Sequence, residues 1–182
     1  MRLWMALILA SLPASAFAQA GYIGIYSDVG YSDCTLLDQS SGYVDVYVVH
    51  KGTSGATGAQ FKVAGGAGFN CIYVDETSPH TAVVGNSQTG VGIGYGQCFA
   101  ADVLVLTITY IRYGGSLPCS YLEAVPDPTY GTGSVAVTDC TLPFAQQLPA
   151  TGSRLYVNPD ESCSCAVATE PTTWGRIKGL YR

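Results

Sequence analysis

Seven cysteines are the residues of this chain whose type and spacing most sharply define a chemistry: Cys34, Cys71, Cys98, Cys119, Cys140, Cys163 and Cys165. Metal binding fits them poorly. No CxxC pair occurs, His50 and His80 stand at no ligand spacing from any cysteine, and the lone Cys163-Ser164-Cys165 cluster does not supply a site. In an exported chain the expected chemistry is disulfide formation. Residues 103–113 read as one strand about 35 Å long, at about 3.3 Å per residue. Cys98 before it and Cys119 after it should therefore lie at opposite ends of the fold, which disfavours that pair. The expected bridges are Cys119 with Cys140 across a hairpin, Cys71 with Cys98, and Cys34 with Cys163 or Cys165. One thiol is left over.

Catalytic patterns are sparse, and no catalytic, cofactor or metal residue is expected. Gly85-Asn86-Ser87-Gln88-Thr89-Gly90 does not have the spacing of a GxSxG nucleophile elbow and reads as a turn. A hydrolase triad forms in space rather than in sequence, and it would draw on His50 or His80. His50 reads as the end of a strand and His80 as a loop residue after Pro79, both positions where surface histidines are ordinary. The acidic pairs Asp75-Glu76 and Asp160-Glu161 are adjacent residues whose side chains diverge, unlike the facing carboxylates of a glycosidase. Asp28, Asp33, Asp38, Asp160 and Glu161 are loop acids that suit calcium in type but lack the EF-hand pattern, so turn formation is the expected role. The run Gly90-Val91-Gly92-Ile93-Gly94-Tyr95-Gly96 has a period of two and precedes a strand, whereas a dinucleotide loop needs GxGxxG and a helix. Its glycines should form one strand face, closely covered by a neighbouring element, with Val91, Ile93 and Tyr95 on the other.

The elements that must position these residues read as strands. Apolar and polar residues alternate over 22–27, 43–50, 59–64, 71–74, 81–85, 121–125, 134–139 and 154–157, with Gly, Pro and Asn turns between. Val44, Val46 and Val48 share one face, and Phe61 and Val63 share another. Residues 103–113 are apolar on both faces at first, as a central strand is. About nine short strands with no intervening helix imply an all-β, jelly-roll or immunoglobulin-like sandwich in a single domain.

The two ends differ from this body. Arg2, an apolar run over 3–12, Pro13, and Ala16 and Ala18 at the −3 and −1 positions make residues 1–18 a signal peptide. Cleavage after Ala20 meets the same small-residue rule. The domain is then 21–168 and the tail 169–182. No further stretch is long and apolar enough to span a bilayer, and the expected location is the periplasm, the cell surface or the medium. All thirteen acids lie from Asp28 to Glu170, against Lys51, Lys62, Arg112 and Arg154, so nucleic acid is disfavoured as a partner. The tail carries Arg176, Lys178 and Arg182 and no acid after Glu170. Thr172 or Thr173 can cap a short helix there, with Trp174, Ile177 and Tyr181 on one face. Trp174, Arg176, Ile177, Lys178 and Tyr181 are thus the candidates for docking a partner.

Residues 40–125 resemble cohesin-type modules. Val44-Asp45-Val46-Tyr47-Val48-Val49, then Gly58-Ala59-Gln60-Phe61-Lys62-Val63, the strand at 90–95 and Leu104-Val105-Leu106-Thr107-Ile108 follow their order of strands. The resemblance implies a jelly-roll-like sandwich. The many cysteines depart from cohesins, and dockerin binding is not carried over. The whole chain is also similar to exported bacterial sandwich proteins sharing the VYVVH…GATGAQF segment and a TTWGRIKGLYR tail, a group that implies no activity. The expected function is a secreted or cell-surface, non-catalytic binding or structural module with a protein or glycan partner, docked through its tail. The alternative is a carbohydrate-binding domain using exposed Tyr43, Tyr47, Tyr113 and Tyr121.

Overall fold

A computed structural model describes residues 20–129 and 133–165. The expected leader cleavage site at Ala18 and the whole candidate docking tail, Trp174 to Tyr181 included, lie outside the described residues. The described residues form twelve strands: β1 (Tyr22–Tyr26), β2 (Thr35–Leu36), β3 (Gly42–Lys51), β4 (Ala56–Gly65), β5 (Ile72–Thr77), β6 (Ala82–Asn86), β7 (Gly90–Phe99), β8 (Val103–Arg112), β9 (Ser120–Val125), β10 (Val135–Asp139), β11 (Gln147–Gly152) and β12 (Arg154–Val157). No helix among them is long and apolar enough to cross a membrane.

The strands make two layers. In one, β1, β3, β8 and β5 lie side by side, all antiparallel. In the other, β4 is flanked by β7 and β10, with β6 beyond β7 and β11 beyond β10. The second half of β4 pairs with β9, which leads to β12 and the short β2. β11 also pairs in parallel with β1, Tyr22 opposite Thr151, and joins the layers along one edge. Residues alternating inward from both layers fill the space between: Ile23, Ile25, Val46, Val48 and Ile108 from one, Phe61, Val91, Leu122, Val137 and Leu155 from the other. This is the all-β sandwich that alternation predicts. β8 is central as expected, between β3 and β5. Two strands escape the sequence reading: β2 has only two residues, and β11 contains Pro149, which argues against a strand until its partners are known.

One expected bridge is found, Cys34 with a cysteine of the 163–165 cluster, and the other two differ. Cys34 joins Cys165, Cys98 joins Cys140, Cys119 joins Cys163, and Cys71 is the free thiol. The expected Cys119–Cys140 pair assumed a hairpin, but β9 and β10 run in the same direction along β4. Leu122 stands opposite Gly65 and Asp139 opposite Ala56, so the two cysteines lie at opposite ends. Phe99 is also opposite Ala56, which brings Cys98 to Cys140 instead. Cys71 precedes β5, whose Ile72 sits beside Ile111 at the far end of β8, while Cys98 is at the end near Val103. Strand length thus separates Cys71 from Cys98 as it separates Cys98 from Cys119.

The glycine face of β7 is another departure. Val91, Ile93 and Tyr95 do point into the core. Yet a Cβ on Gly92 or Gly96 would meet nothing within 4 Å, and Gly94 only approaches Ala82. Only Gly90 is closely covered, by the Asp127 carboxylate, so no element packs along the whole face.

Candidate functional site

A cleft of about 710 Å³ opens where β1, the loop after it, and the β11–β12 turn meet. That is a size suited to a small organic ligand or a short chain segment. Four tyrosines line it: Tyr22 and Tyr26 from β1, Tyr31 from the following loop, and Tyr156 from β12. Tyr22 and Tyr26 are four residues apart and share a strand face, and their hydroxyls stand 3.2 Å apart. The intervening Gly24 is required, since a Cβ there would lie 2.5 Å from Cε2 of the Tyr26 ring. The Tyr26 ring therefore lies flat over its own strand and forms part of the floor. Burial first, and then the Tyr22 hydroxyl, push the Tyr26 phenol pKa upward.

The loop that carries Tyr31 is organised by one carboxylate. Asp28 accepts the N–H groups of Gly30, Ser32 and Asp33 at 3.0, 2.8 and 2.6 Å, and the Ser32 hydroxyl at 3.0 Å. These N–H donors, that of Asp33 foremost, hold its carboxyl below the usual carboxylate range. Tyr31 takes a left-handed conformation (φ 55°), its carbonyl accepts Lys51 Nζ at 3.0 Å, and its ring packs 6.0 Å from that of Tyr47. The loop's far end is fastened by Cys34–Cys165, and both cysteines line the cleft.

Both cations in the cleft are already engaged. Lys51 pairs with Asp102 at 3.5 Å and stands 4.9 Å over the Tyr26 ring. Arg154 grips Glu123 at 3.1 Å through Nε and 3.2 Å through its terminal nitrogen, and lies 4.2 Å over the Tyr121 ring. The Glu123 carboxylate raises the Arg154 pKa further. Gly152 allows the β11–β12 turn to close on β9, because a Cβ there would collide with the Ala124 carbonyl. The site thus offers aromatic faces and hydroxyls, with its charges cancelled in pairs.

The sequence candidates fall elsewhere or play other parts. His50 is not a surface residue: it is fully buried. Its Nε2 lies 2.7 Å from the Ala20 carbonyl and its Nδ1 3.1 Å from the Tyr95 hydroxyl. A carbonyl only accepts, so Nε2 carries the proton and Nδ1 takes that of Tyr95. Burial lowers the His50 pKa against the opposing pull of the Ala20 carbonyl and Asp102. His80 Nε2 donates to the Leu104 carbonyl at 3.0 Å, and its ring lies 4.9 Å from Tyr95. The two histidines meet around a tyrosine, with no serine or cysteine nucleophile against either ring nitrogen among the described residues.

Asp28, Asp33 and Asp160 act as turn formers, whereas the buried Asp38 ties its loop to the distant 114–116 segment. Asp33 accepts from Thr35, Asp38 from the N–H groups of Gly114 and Ser116, and Asp160 from Ser162. Asp75 and Glu76 diverge as expected: Asp75 accepts from the N–H of Glu76, and Glu76 from that of Ser87. Cys119, Asp160 and Cys163 have ligand atoms within 4.8 Å of one another, but both thiols are spent in their disulfide. Of the tyrosines singled out in the sequence, Tyr43 and Tyr113 are exposed outside the cleft, Tyr47 braces Tyr31 and Tyr121 lies beneath Arg154. The signal that could have found the actual set is Tyr22-x-Gly-x-Tyr26, a same-face aromatic pair with a gap between them.

No protein-family model and no curated protein sequence matches the chain. Among solved structures, the chain is similar to the seventh ScaB type I cohesin of Pseudobacteroides cellulosolvens, with a TM-score of 0.49 and 7% identity over 79% of this chain and 94% of that one. It is also similar to the sixth cohesin of the Acetivibrio cellulolyticus scaffoldin B, crystallised with a Cel5 dockerin, with a TM-score of 0.47 and 15% identity over 78% of this chain and 100% of that one. With TM-scores below 0.5, these likenesses to cohesin modules carry no inference about function.

Proposed function

We propose that this protein is an exported, non-catalytic binding module whose ligand seats in the tyrosine-lined cleft, and whose C-terminal tail attaches it to a surface component. The observation that carries the reading is the cleft's lining: four tyrosines face it, and both of its cations are already held in ion pairs. Three disulfides support an oxidising compartment, the periplasm or beyond. Cys165, at the cleft wall, is the last described residue before the tail.

A neutral saccharide is the ligand class that the cleft favours. Aromatic faces cover the apolar C–H faces of a sugar, hydroxyls serve its O–H groups, and cations already paired give an anion little advantage. The test is titration of the oxidised protein with a panel of neutral oligosaccharides, beside Tyr31→Ala and Tyr156→Ala variants. Saturable binding that both variants abolish is expected, and a panel without binding discards the sugar. Hydrolysis of any ester, peptide or glycoside that is lost on replacing His50 or His80 overturns the non-catalytic reading. For the tail, deletion of residues 172–182 should move protein from the cell-bound to the released fraction, and an unchanged distribution ends that part.

A further inference from the structure

The loop between β10 and β11 carries the two most exposed large apolar side chains among the described residues, Leu142 at 89% and Phe144 at 79%. Single exposed apolar residues are ordinary, but these two flank Pro143 on a loop that is fastened at its base. The Asp139 carboxylate accepts the N–H groups of Thr141 and Gln146 at 3.1 and 2.6 Å, and the Thr141 hydroxyl at 2.6 Å. The Asp139 N–H donates to the Gln146 carbonyl at 2.9 Å, and its own carbonyl accepts the Thr57 hydroxyl at 2.9 Å. Cys140 is bridged to Cys98, and its sulfur packs on Gly55, where a Cβ would stand 3.4 Å away. Both stems of the loop are therefore tied to the sandwich while its apolar tip stands in solvent.

We propose that this tip is a membrane-contact site, whose Leu142 and Phe144 enter the surface of an uncharged, zwitterionic phospholipid layer. The site is separate from the tyrosine cleft, which none of these residues lines.

Charge, area and backbone chemistry favour a lipid surface. No charged residue occurs over 140–153, and the Asp139 carboxylate is turned into the loop, with the residue only 5% exposed. Lys51 and Asp102 of the adjoining turns pair with each other at 3.5 Å. Nothing on these turns resists entry of the tip into an apolar layer, and no unpaired cation on them favours anionic headgroups. Two side chains of this size present no more than about 400 Å². A specific protein partner or a second copy needs about 800 Å² on each side, whereas a lipid surface requires no matching shape and accepts each apolar side chain independently. Pro143 has no N–H, so the centre of the tip brings no unpaired backbone donor into the layer.

The test sediments the purified, oxidised protein with vesicles of phosphatidylcholine at millimolar lipid, beside mixed vesicles of phosphatidylcholine and phosphatidylglycerol. Binding that is shallow, reversible, equal for the two compositions and insensitive to salt is expected. Leu142→Ser and Phe144→Ser should each weaken it about tenfold. Both side chains are exposed, so the Tm of each variant should stay within about 2 °C of the wild type. Deletion of residues 172–182 should leave the tenfold effect of each substitution in place. Absence of sedimentation overturns the proposal, as does binding that both substitutions leave intact or binding confined to anionic vesicles and abolished by salt. Self-association without lipid that both substitutions abolish overturns it in favour of a second copy. None of these failures touches the cleft, whose ligand is read separately by oligosaccharide titration.

Discussion

At the scale of single residues, His50 makes stability depend on pH in a window of its own. Burial holds its folded pKa below the ordinary 6.5, so below that value the unfolded chain binds a proton that the folded one resists. Its contribution is therefore present above about 6.5 and is lost as pH falls through the depressed folded value. Asp28, Asp38, Asp139 and Asp160, with pKa values lowered from 3.8, act in the same direction but only in stronger acid. The urea midpoint should fall between pH 7.5 and pH 5, and should be flat across that range in His50→Phe. Equal slopes in both proteins would remove His50 as the cause. Arg154 behaves differently, since its pair with Glu123 is partly exposed. Arg154→Ala should cost no more than about 1 kcal/mol of stability, yet it uncovers Tyr121 and frees Glu123 at the cleft wall. Weaker ligand binding with near-native melting is the expected pattern, read by calorimetric titration beside thermal unfolding. His50 also shows how a legible signal is missed. It shares the parity of Val44, Val46 and Val48 and so points inward with them; its polar type, not its position, marked it for the surface.

At the scale of elements, the disulfides follow strand register rather than sequence spacing. Cys98–Cys140 closes β7 onto β10 across the start of β4. With a sequence separation of 42, the loop-closure model assigns it about 4 kcal/mol. Replacing both cysteines by alanine should lower the urea-derived stability by roughly that amount, whereas Cys71→Ser should cost far less. Non-reducing peptide mapping should return Cys34–Cys165, Cys98–Cys140 and Cys119–Cys163, and thiol titration in denaturant should count one thiol per chain. In the native state that thiol should react slowly, because burial, opposed by the Ser116 hydroxyl, raises its pKa. The expected Cys119–Cys140 link failed through one topological assumption, that consecutive strands form a hairpin. β9 and β10 instead continue one another along β4, an arrangement that no local turn signal announces.

At the scale of the whole molecule, one core holds both layers together, and Phe61 is its largest fully buried side chain. Phe61→Ala should destabilise the domain by about 3–5 kcal/mol, with unfolding remaining a single transition in circular dichroism, since β4 pairs with β7, β9 and β10 and so ties the parts of its layer together. Two separate transitions would show that the β9–β12 part folds independently. The sequence by itself determined the all-β class, most of the strands, the central place of β8, the inward Phe61 and Val63, and the turn-forming role of Asp28, Asp33 and Asp160, though not the long-range part played by Asp38. Each of these rests on period-two alternation or local turn chemistry, which are properties of near neighbours in the chain. Tertiary structure alone decided which cysteines meet, that His50 closes on Ala20, and that Tyr22, Tyr26, Tyr31 and Tyr156 converge beside an ion-paired Arg154. The longest of the disulfides joins residues 131 positions apart, and all these contacts depend on strand order and direction, which alternation along one strand does not encode.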